Sequence, residues 1–246
     1  MPTPKIATRE EWLEARKALL AHEKEETRLR DRNAAERLAL PWVKIDKDYR
    51  FDTPAGRRTL AELFDGRSQL IVYHFMLAPD WDAGCQGCSF LADHLDGTLP
   101  HLNNHDVTLT AVSRAPLARI QAYKTRMGWR FPWASSFGDD FNYDFGVSFT
   151  PEMIAEGATY NFAPINGEGG ELPGLSAFYK DETGQVFHTY SSYARGGEDL
   201  IGTYMVLDRA PLGRNESSVM NWMRRHDEYE APSPAKACCG EATAVA

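Results

Sequence analysis

The run "QLIVYHFML" at residues 69–77 constrains this chain more than any other stretch. A strand with one wet face alternates apolar and polar residues, whereas a nearly unbroken Leu/Ile/Val/Phe run is what a strand buried on both faces shows. It therefore predicts a central strand of an α/β domain. "DVTLTAVS" at 106–113 predicts a second buried strand beside it, and "PLARIQAYKTRMG" at 116–128 a helix opened by Pro116 and closed by Gly128. "LSAFYKDETGQVFHTYSSY" at 175–193 reads as a hairpin, two stretches of β-formers joined by a glycine-containing turn.

Eight residues past the first run comes Cys85-Gln86-Gly87-Cys88, followed by "CSFLADHLDG", which reads as a helix stopped by Gly97. The order of buried strand, Cys-x-x-Cys, helix, strand, helix, hairpin and helix is that of a thioredoxin-like α/β domain. Such a domain has a modest central sheet with helices on both faces. "RTLAELFDG" reads as a helical turn, and "GGEDLIGTYMVLD" as a further helix. Residues 131–173 read as loops, with a short strand near "FPWASS" and a helical turn near "TPEMIAEG". Residues 8–39 predict a long helix: Thr8 and Glu11 form a capping box, and Pro41 marks the stop. Its charged middle, "AHEKEETRLRDR", suits an exposed arm or a dimerisation arm. The expected organisation is a helical arm at 1–40, a thioredoxin-like domain at 41–230 and a disordered Pro/Ala-rich tail at 231–246.

An apolar content of 43% is enough for a core, and a net charge of −8 argues against general nucleic-acid binding. The longest apolar run is too short to span a bilayer, and the N-terminus lacks a signal-peptide core; both point to a cytoplasmic protein. Four cysteines in 246 residues do not make a disulfide scaffold. In a reducing compartment a Cys-x-x-Cys pair is redox-active or metal-binding.

At the start of a helix, Cys85 would be held as a thiolate by unpaired N–H groups and the helix dipole, and would act as the nucleophile. Cys88, one turn on, would resolve the mixed disulfide, with Gln86 and Gly87 tuning the potential and Trp81 nearby. Asp80 and Asp82 would oppose a thiolate if they faced it. Cys85-x2-Cys88-x12-His101-x3-His105 matches the zinc-finger formula in number, but Gly97 and Pro100 break the helix that should carry both histidines, so no metal site is expected. His74 reads as a satisfied core histidine, His188 as structural on its strand, and Cys238-Cys239 as an incidental pair. The aromatic-rich "FPWASSFGDDFNYDF" fits either a pocket or a core. No G-x-S-x-G elbow, phosphate loop or dinucleotide-binding glycine pattern follows a strand, and no cofactor is expected.

"YHFMLAPDWDAGCQGCSF", "LTAVSRAPLARIQAYKTRMGWRFPWASSFGDDFNYDFGVSFT" and "GLSAFYKDETGQVFHTYSSYARG" together resemble a bacterial family of thioredoxin-like proteins, domain of unknown function 899. The resemblance runs from "LPWVKIDKDYRF" to "LDRAPLGRNE". Members are usually described as predicted dithiol–disulfide oxidoreductases. The resemblance puts the family's cysteine motif on Cys85 and Cys88 and its Ser-Arg-Ala-Pro motif on Ser113, Arg114, Ala115 and Pro116. It implies that Ser113 and Arg114 line the site and that Pro173 takes the place of the thioredoxin cis-proline. His105-Asp106 stands where an Arg-Asp pair is expected. A more distant likeness to peroxiredoxins departs from their pattern: Pro79 is six residues before Cys85, Asp82 replaces the threonine, and no arginine opens the hairpin strand. The reading that results is a dithiol–disulfide oxidoreductase acting on a protein disulfide or a small thiol, with neither nucleic acid nor membrane as partner and a homodimer allowed by the arm. Alternatives are a peroxiredoxin-like thiol peroxidase and a non-enzymatic binding or metal-binding thioredoxin fold.

Overall fold

The computed structural model describes residues 5–165 and 170–229. The tail expected to be disordered, with Cys238 and Cys239, lies outside the described residues. Helix α1 spans Arg9–Leu38. Both halves of its capping box form: the Glu11 N–H donates to Thr8 Oγ1 at 3.1 Å, and the Thr8 N–H donates to the Glu11 carboxylate at 2.9 Å. Such a cap contributes about 1 kcal/mol to the helix end. No residue of α1 is buried.

Eight strands form the main sheet: β1 (Val43–Lys44), β2 (Arg50–Thr53), β3 (Gly56–Thr59), β4 (Gln69–His74), β5 (Val107–Ser113), β6 (Trp133–Ser135), and, after two small two-stranded ladders, β11 (Gly174–Lys180) and β12 (Val186–Tyr193). The ladders pair β7 (Ser148–Phe149) with β10 (Gly170–Glu171), and β8 (Thr159–Tyr160) with β9 (Ala163–Pro164). The order is β1-β12-β11-β4-β5-β6-β2-β3. β4, β5 and β6 run parallel, β11 lies antiparallel on the other side of β4, and β12 is antiparallel to β11. A parallel pair joined through helices, with an antiparallel hairpin added beyond the first strand, is the thioredoxin-like arrangement. The fold is therefore the one expected. The helices are α2 (Gln86–Ala92), α3 (Leu99–Asn104), α4 (Leu117–Arg126), α5 (Phe141–Asp144), α6 (Pro151–Ala155) and α7 (Gly202–Leu207).

The apolar run is buried on both sides because each side has its own core. Leu70 and Val72 face a core with Val112, Ala134 and Phe178, closed by Phe51, Phe64, Phe141 and Phe145. Tyr73 and Phe75 face the opposite core, with Leu109, Ala111 and Trp133, covered by Ala92 of α2, Ile120 and Tyr123 of α4, and Tyr204 of α7. Each such side chain contributes roughly 1.5–3 kcal/mol on burial, so a polar residue on either face of β4 would be costly. β4 ends at His74, but Phe75 stays bonded to β5, its N–H donating to the Val112 carbonyl at 3.0 Å.

Three elements differ from expectation. The helix after the cysteines stops at Ala92, and a 3-10 turn covers Asp96–Thr98. The stretch read as one helix near residue 200 splits into a 3-10 segment, Ala194–Leu200, and the short α7. The β2–β3 hairpin was not expected, because "RFDT" and "GRRT" lack alternation; Gly56, at φ +103°, makes its turn.

His74 is buried in the sheet, its Nε2 at 2.8 Å from Ser176 Oγ, which lies 2.8 Å from Ser191 Oγ; that hydroxyl is 2.8 Å from His188 Nε2. His74 Nδ1 has no partner among the described residues, so this core histidine is only half satisfied. No helix among the described residues is long and apolar enough to cross a membrane.

Candidate active site

The loop leaving β4 is pinned where it reaches the cysteines. The Cys85 N–H donates to the Met76 carbonyl at 3.1 Å, and the Met76 N–H points at Cys88 Sγ from 3.5 Å. Gly84 lies against two rings: a Cβ there would sit 2.5 Å from Phe75 and 2.7 Å from Tyr123. Only glycine lets the backbone approach that closely. The chain then turns into α2 with Cys85 as its N-cap; the Cys85 carbonyl accepts from the Ser89 N–H at 2.9 Å and from the Ser89 hydroxyl at 2.7 Å.

The two thiols have opposite environments. Cys85 is half-buried and Cys88 is buried. A hydrogen bond from the Cys88 thiol is the largest influence on Cys85, holding it down to about 6 against its burial; the Gly87 and Cys88 N–H groups and the Arg225 charge act the same way. Burial pushes Cys88 well up, helped by its bond to Cys85 and that sulfur's charge. The arrangement therefore presents one thiolate and one protonated thiol at neutral pH. Asp80 and Asp82 are exposed, and the Asp82 side chain is turned fully to solvent, so neither desolvates beside the sulfur.

Beside the pair lies a cavity of about 270 Å³. Cys85, Gly87 and Cys88 form one wall, Pro173 and Leu175 at the start of β11 another, and Tyr73, Met76 and Met220 complete it. The lining is mostly apolar; its polar members include Ser192 and the pair Arg195 and Glu198, 2.6 Å apart.

The residues that cover the pair come from the far end of the chain. Met220 and Met223 pack on Gly87, approaching its Cβ position to 3.4 and 3.3 Å. Met220 adopts φ +62°, a left-handed conformation rare outside glycine and asparagine. The segment is held by Arg225, whose Nη2 and Nε donate to the Gly84 carbonyl at 2.6 and 3.1 Å, while Nε also donates to Tyr123 Oη at 3.0 Å. Glu228 accepts from Arg225 at 2.8 Å and from Arg126 at 2.9 Å, closing the clasp. None of this was read from the sequence. The signal available was "VMNWMRR", a cluster of methionines and tryptophan in an otherwise polar stretch.

Of the residues expected at the site, Cys85, Cys88, Gly87 and Pro173 share the cavity. The remainder do not. Gln86 is exposed on the outer side of α2. Trp81 packs at the edge of the core, its carbonyl accepting from Arg119 at 2.6 Å. Ser113 is fully buried, donating to the Phe75 carbonyl at 2.6 Å and accepting from Trp133 Nε1 at 3.0 Å, so it fastens β5 to the loop. Arg114 pairs with buried Glu171 at 2.8 Å and stacks on Tyr143, away from the cavity. Ser113 ends β5 and Arg114 follows it, while the cysteines lie beyond the end of β4. Described peptide bonds are all trans, so Pro173 lines the site without being the cis-proline that the resemblance implied. His101 and His105 sit exposed on and just after α3, and among the described residues no three His, Cys, Asp or Glu side chains gather as metal ligands.

A family model described as "Bacterial protein of unknown function (DUF899)" matches residues 1–229, and the chain belongs to that family. No curated protein matches it. Among solved structures it is similar to Peroxiredoxin Q of Xanthomonas campestris, at 14% identity and a TM-score of 0.44 over 64% of this chain and 90% of that one. It is similar also to Peroxidoxin BcpB of Mycobacterium tuberculosis, at 13% identity and a TM-score of 0.44 over 68% of this chain and 96% of that one.

Proposed function

We propose that this DUF899 protein is a dithiol–disulfide oxidoreductase with Cys85 as nucleophile and Cys88 as resolving thiol. The observation that carries this reading is the split between the two sulfurs, one held at about 6 at the mouth of a cavity and the other buried and pushed up. The Cys85 thiolate attacks one sulfur of the substrate disulfide, forming a mixed disulfide and expelling the other half as thiolate. Forming that bond removes the charge that helped raise Cys88. Cys88 then gives its proton to the departing thiolate and attacks Cys85 Sγ, releasing the second half. The substrate gains two electrons, and the pair becomes a disulfide.

A thiol peroxidase is less well supported. It needs donors aimed at a peroxide beside the sulfur. The described donors of Arg225 are spent on Gly84, Tyr123 and Glu228, and exposed Asp82 stands three residues ahead of Cys85.

The test is thiol trapping with mass spectrometry in graded glutathione buffers. A reversible Cys85–Cys88 disulfide is expected, together with a Cys88→Ser protein that accumulates a mixed disulfide and a Cys85→Ser protein that forms none. If the Cys85→Ser protein reduces a model disulfide as fast as the parent, the reading is wrong. Peroxide-driven turnover through a Cys85 sulfenic acid would replace it with the peroxidase.

A further inference from the structure

Helix α1 leaves two surfaces without a partner. It runs 30 residues with nothing buried, although a helix in water depends mainly on packing an apolar face for stability. Trp12 and Leu19, and Leu13 and Leu20, are spaced by seven residues, so all four share one face. They are 39–52% exposed.

The second surface is on the sheet. The face of β4 that carries Tyr73 is covered by α2 and α7 at the cysteine end. At the opposite end, Ile71, Ala177 and Tyr190 stand side by side across β4, β11 and β12, only partly buried. They floor a groove of about 370 Å³ whose rim includes Leu38 and Trp42, both exposed. Arg37, in the last turn of α1, stacks on Tyr190 at 4.7 Å.

The Arg16–Glu23 ion pair lies among Trp12, Leu13, Leu19 and Leu20, and the groove cannot be filled by those four side chains of its own arm. The last turn of α1 is fixed at the rim, and a rise of 1.5 Å per residue puts Leu20 and Trp12 about 27 and 39 Å further along the helix. A second arm lying antiparallel to the first removes the difficulty. Its N-terminal portion then falls beside the C-terminal turn of the first arm, which is where the groove lies. Two-fold symmetry repeats the contact. A helix about 45 Å long has the reach to supply the roughly 800 Å² per partner of a stable interface.

We propose that the protein is a two-fold dimer in which α1 of each copy lies antiparallel to that of the other and seats Trp12, Leu13, Leu19 and Leu20 over the other's Ile71–Ala177–Tyr190 groove. The interface would adjoin the thiol site, because Leu175, Ser192 and Leu200 line both the groove and the cavity of Cys85. Dimerisation then closes over the wall that Leu175, Ser192 and Leu200 share with the cavity.

Light scattering on the full-length chain at tens of micromolar tests this, with a Leu13→Glu/Leu20→Glu protein for the arm and an Ala177→Glu protein for the groove. The parent should have twice the mass of the chain and each variant the mass of one. The arm substitutions lie on an exposed helix and leave the domain intact. Near-ultraviolet circular dichroism checks that the groove variant is folded, and the arm variant decides the matter if it is not. A monomeric parent, or a dimer that the arm substitutions or a folded groove variant leaves intact, overturns the proposal. So does hydrogen exchange in which the amides of residues 12–20 are protected in a monomer, since the arm would then cover its own domain.

Discussion

Cys85 and His74 lie near the same end of β4, one in the loop beyond it and one at its last residue, on the sides of two different cores. Both have a lowered pKa, Cys85 to about 6 and His74 to about 3. The consequences are opposite. A thiol is an acid whose charged form is its base, so lowering its pKa makes an anion at neutral pH. An imidazole is charged when protonated, so lowering its pKa makes it neutral. The causes differ as well. Hydrogen bonds from the neighbouring thiol and backbone outweigh burial at Cys85, while burial comes first at His74, with the His188 ring adding to it. One side of the sheet surrounds its titratable group with donors and an opening. The other packs its group against the paired rings of Phe141 and Phe145, at ring distances of 5.6 and 6.0 Å.

The comparison breaks most easily at His74. A His74→Ala substitution should cost about 2–4 kcal/mol, through the cavity it leaves and the loss of the Ser176 bond, measured as a shift in the urea midpoint. The alkylation rate of Cys85 in the folded variant should stay within about twofold of the parent if the two cores are separate, as substitutions without shared partners usually are. A larger change would mean that they are coupled through β4. Gly84→Ala comes next. It presses a methyl group into the rings of Phe75 and Tyr123, at an expected cost of about 1–3 kcal/mol, and it should disturb Cys85 because the clasp from Arg225 ends on this residue's carbonyl. Unchanged stability and an unchanged Cys85 pKa would refute the tight fit.

The smallest effects sharpen the account of the thiolate. In the parent, alkylation of Cys85 should rise as pH passes about 6 and then flatten. Cys88→Ala should move that midpoint upward by more than Arg225→Ala does, because the Cys88 thiol is the largest cause of the lowering and the Arg225 charge the weaker one. The reverse order would transfer the main role to the arginine. The sign for stability follows from linkage. A folded-state pKa below the unfolded value means that the unfolded chain holds more protons between the two, so the reduced parent should gain stability over Cys85→Ala as pH rises from about 6 towards about 8.5. It should lose that advantage as pH falls through 6.

What could be read from sequence was what local pattern encodes. The run at 69–77 is apolar throughout because β4 has a core on each side, and the capping box at Thr8 depends on residues three apart. Cys85 could be located because the N-cap after a buried strand is a local property. Ser113 and Arg114 do not line the cavity, because sequence does not show which way a side chain at a strand end turns; Ser113 ends β5 and Arg114 follows it, and their side chains turn to Phe75 and Glu171 instead. Arg225, Met220 and Gly84 were missed for a related reason. Their roles exist only through contacts between distant parts of the chain, and Gly84 looks like any loop glycine until Phe75 and Tyr123 close around it.

The hydrogen bond from Arg225 to Gly84 joins residues 141 apart. Chains are made from the N-terminus, so Cys85 and Cys88 are synthesised well before Arg225, with all of β5, β11 and β12 between them. The sheet that carries the pair does not itself supply the methionines that pack on Gly87. The cover over the sulfurs is therefore hung on one guanidinium, and the stability of the sheet does not by itself decide whether the thiols are enclosed.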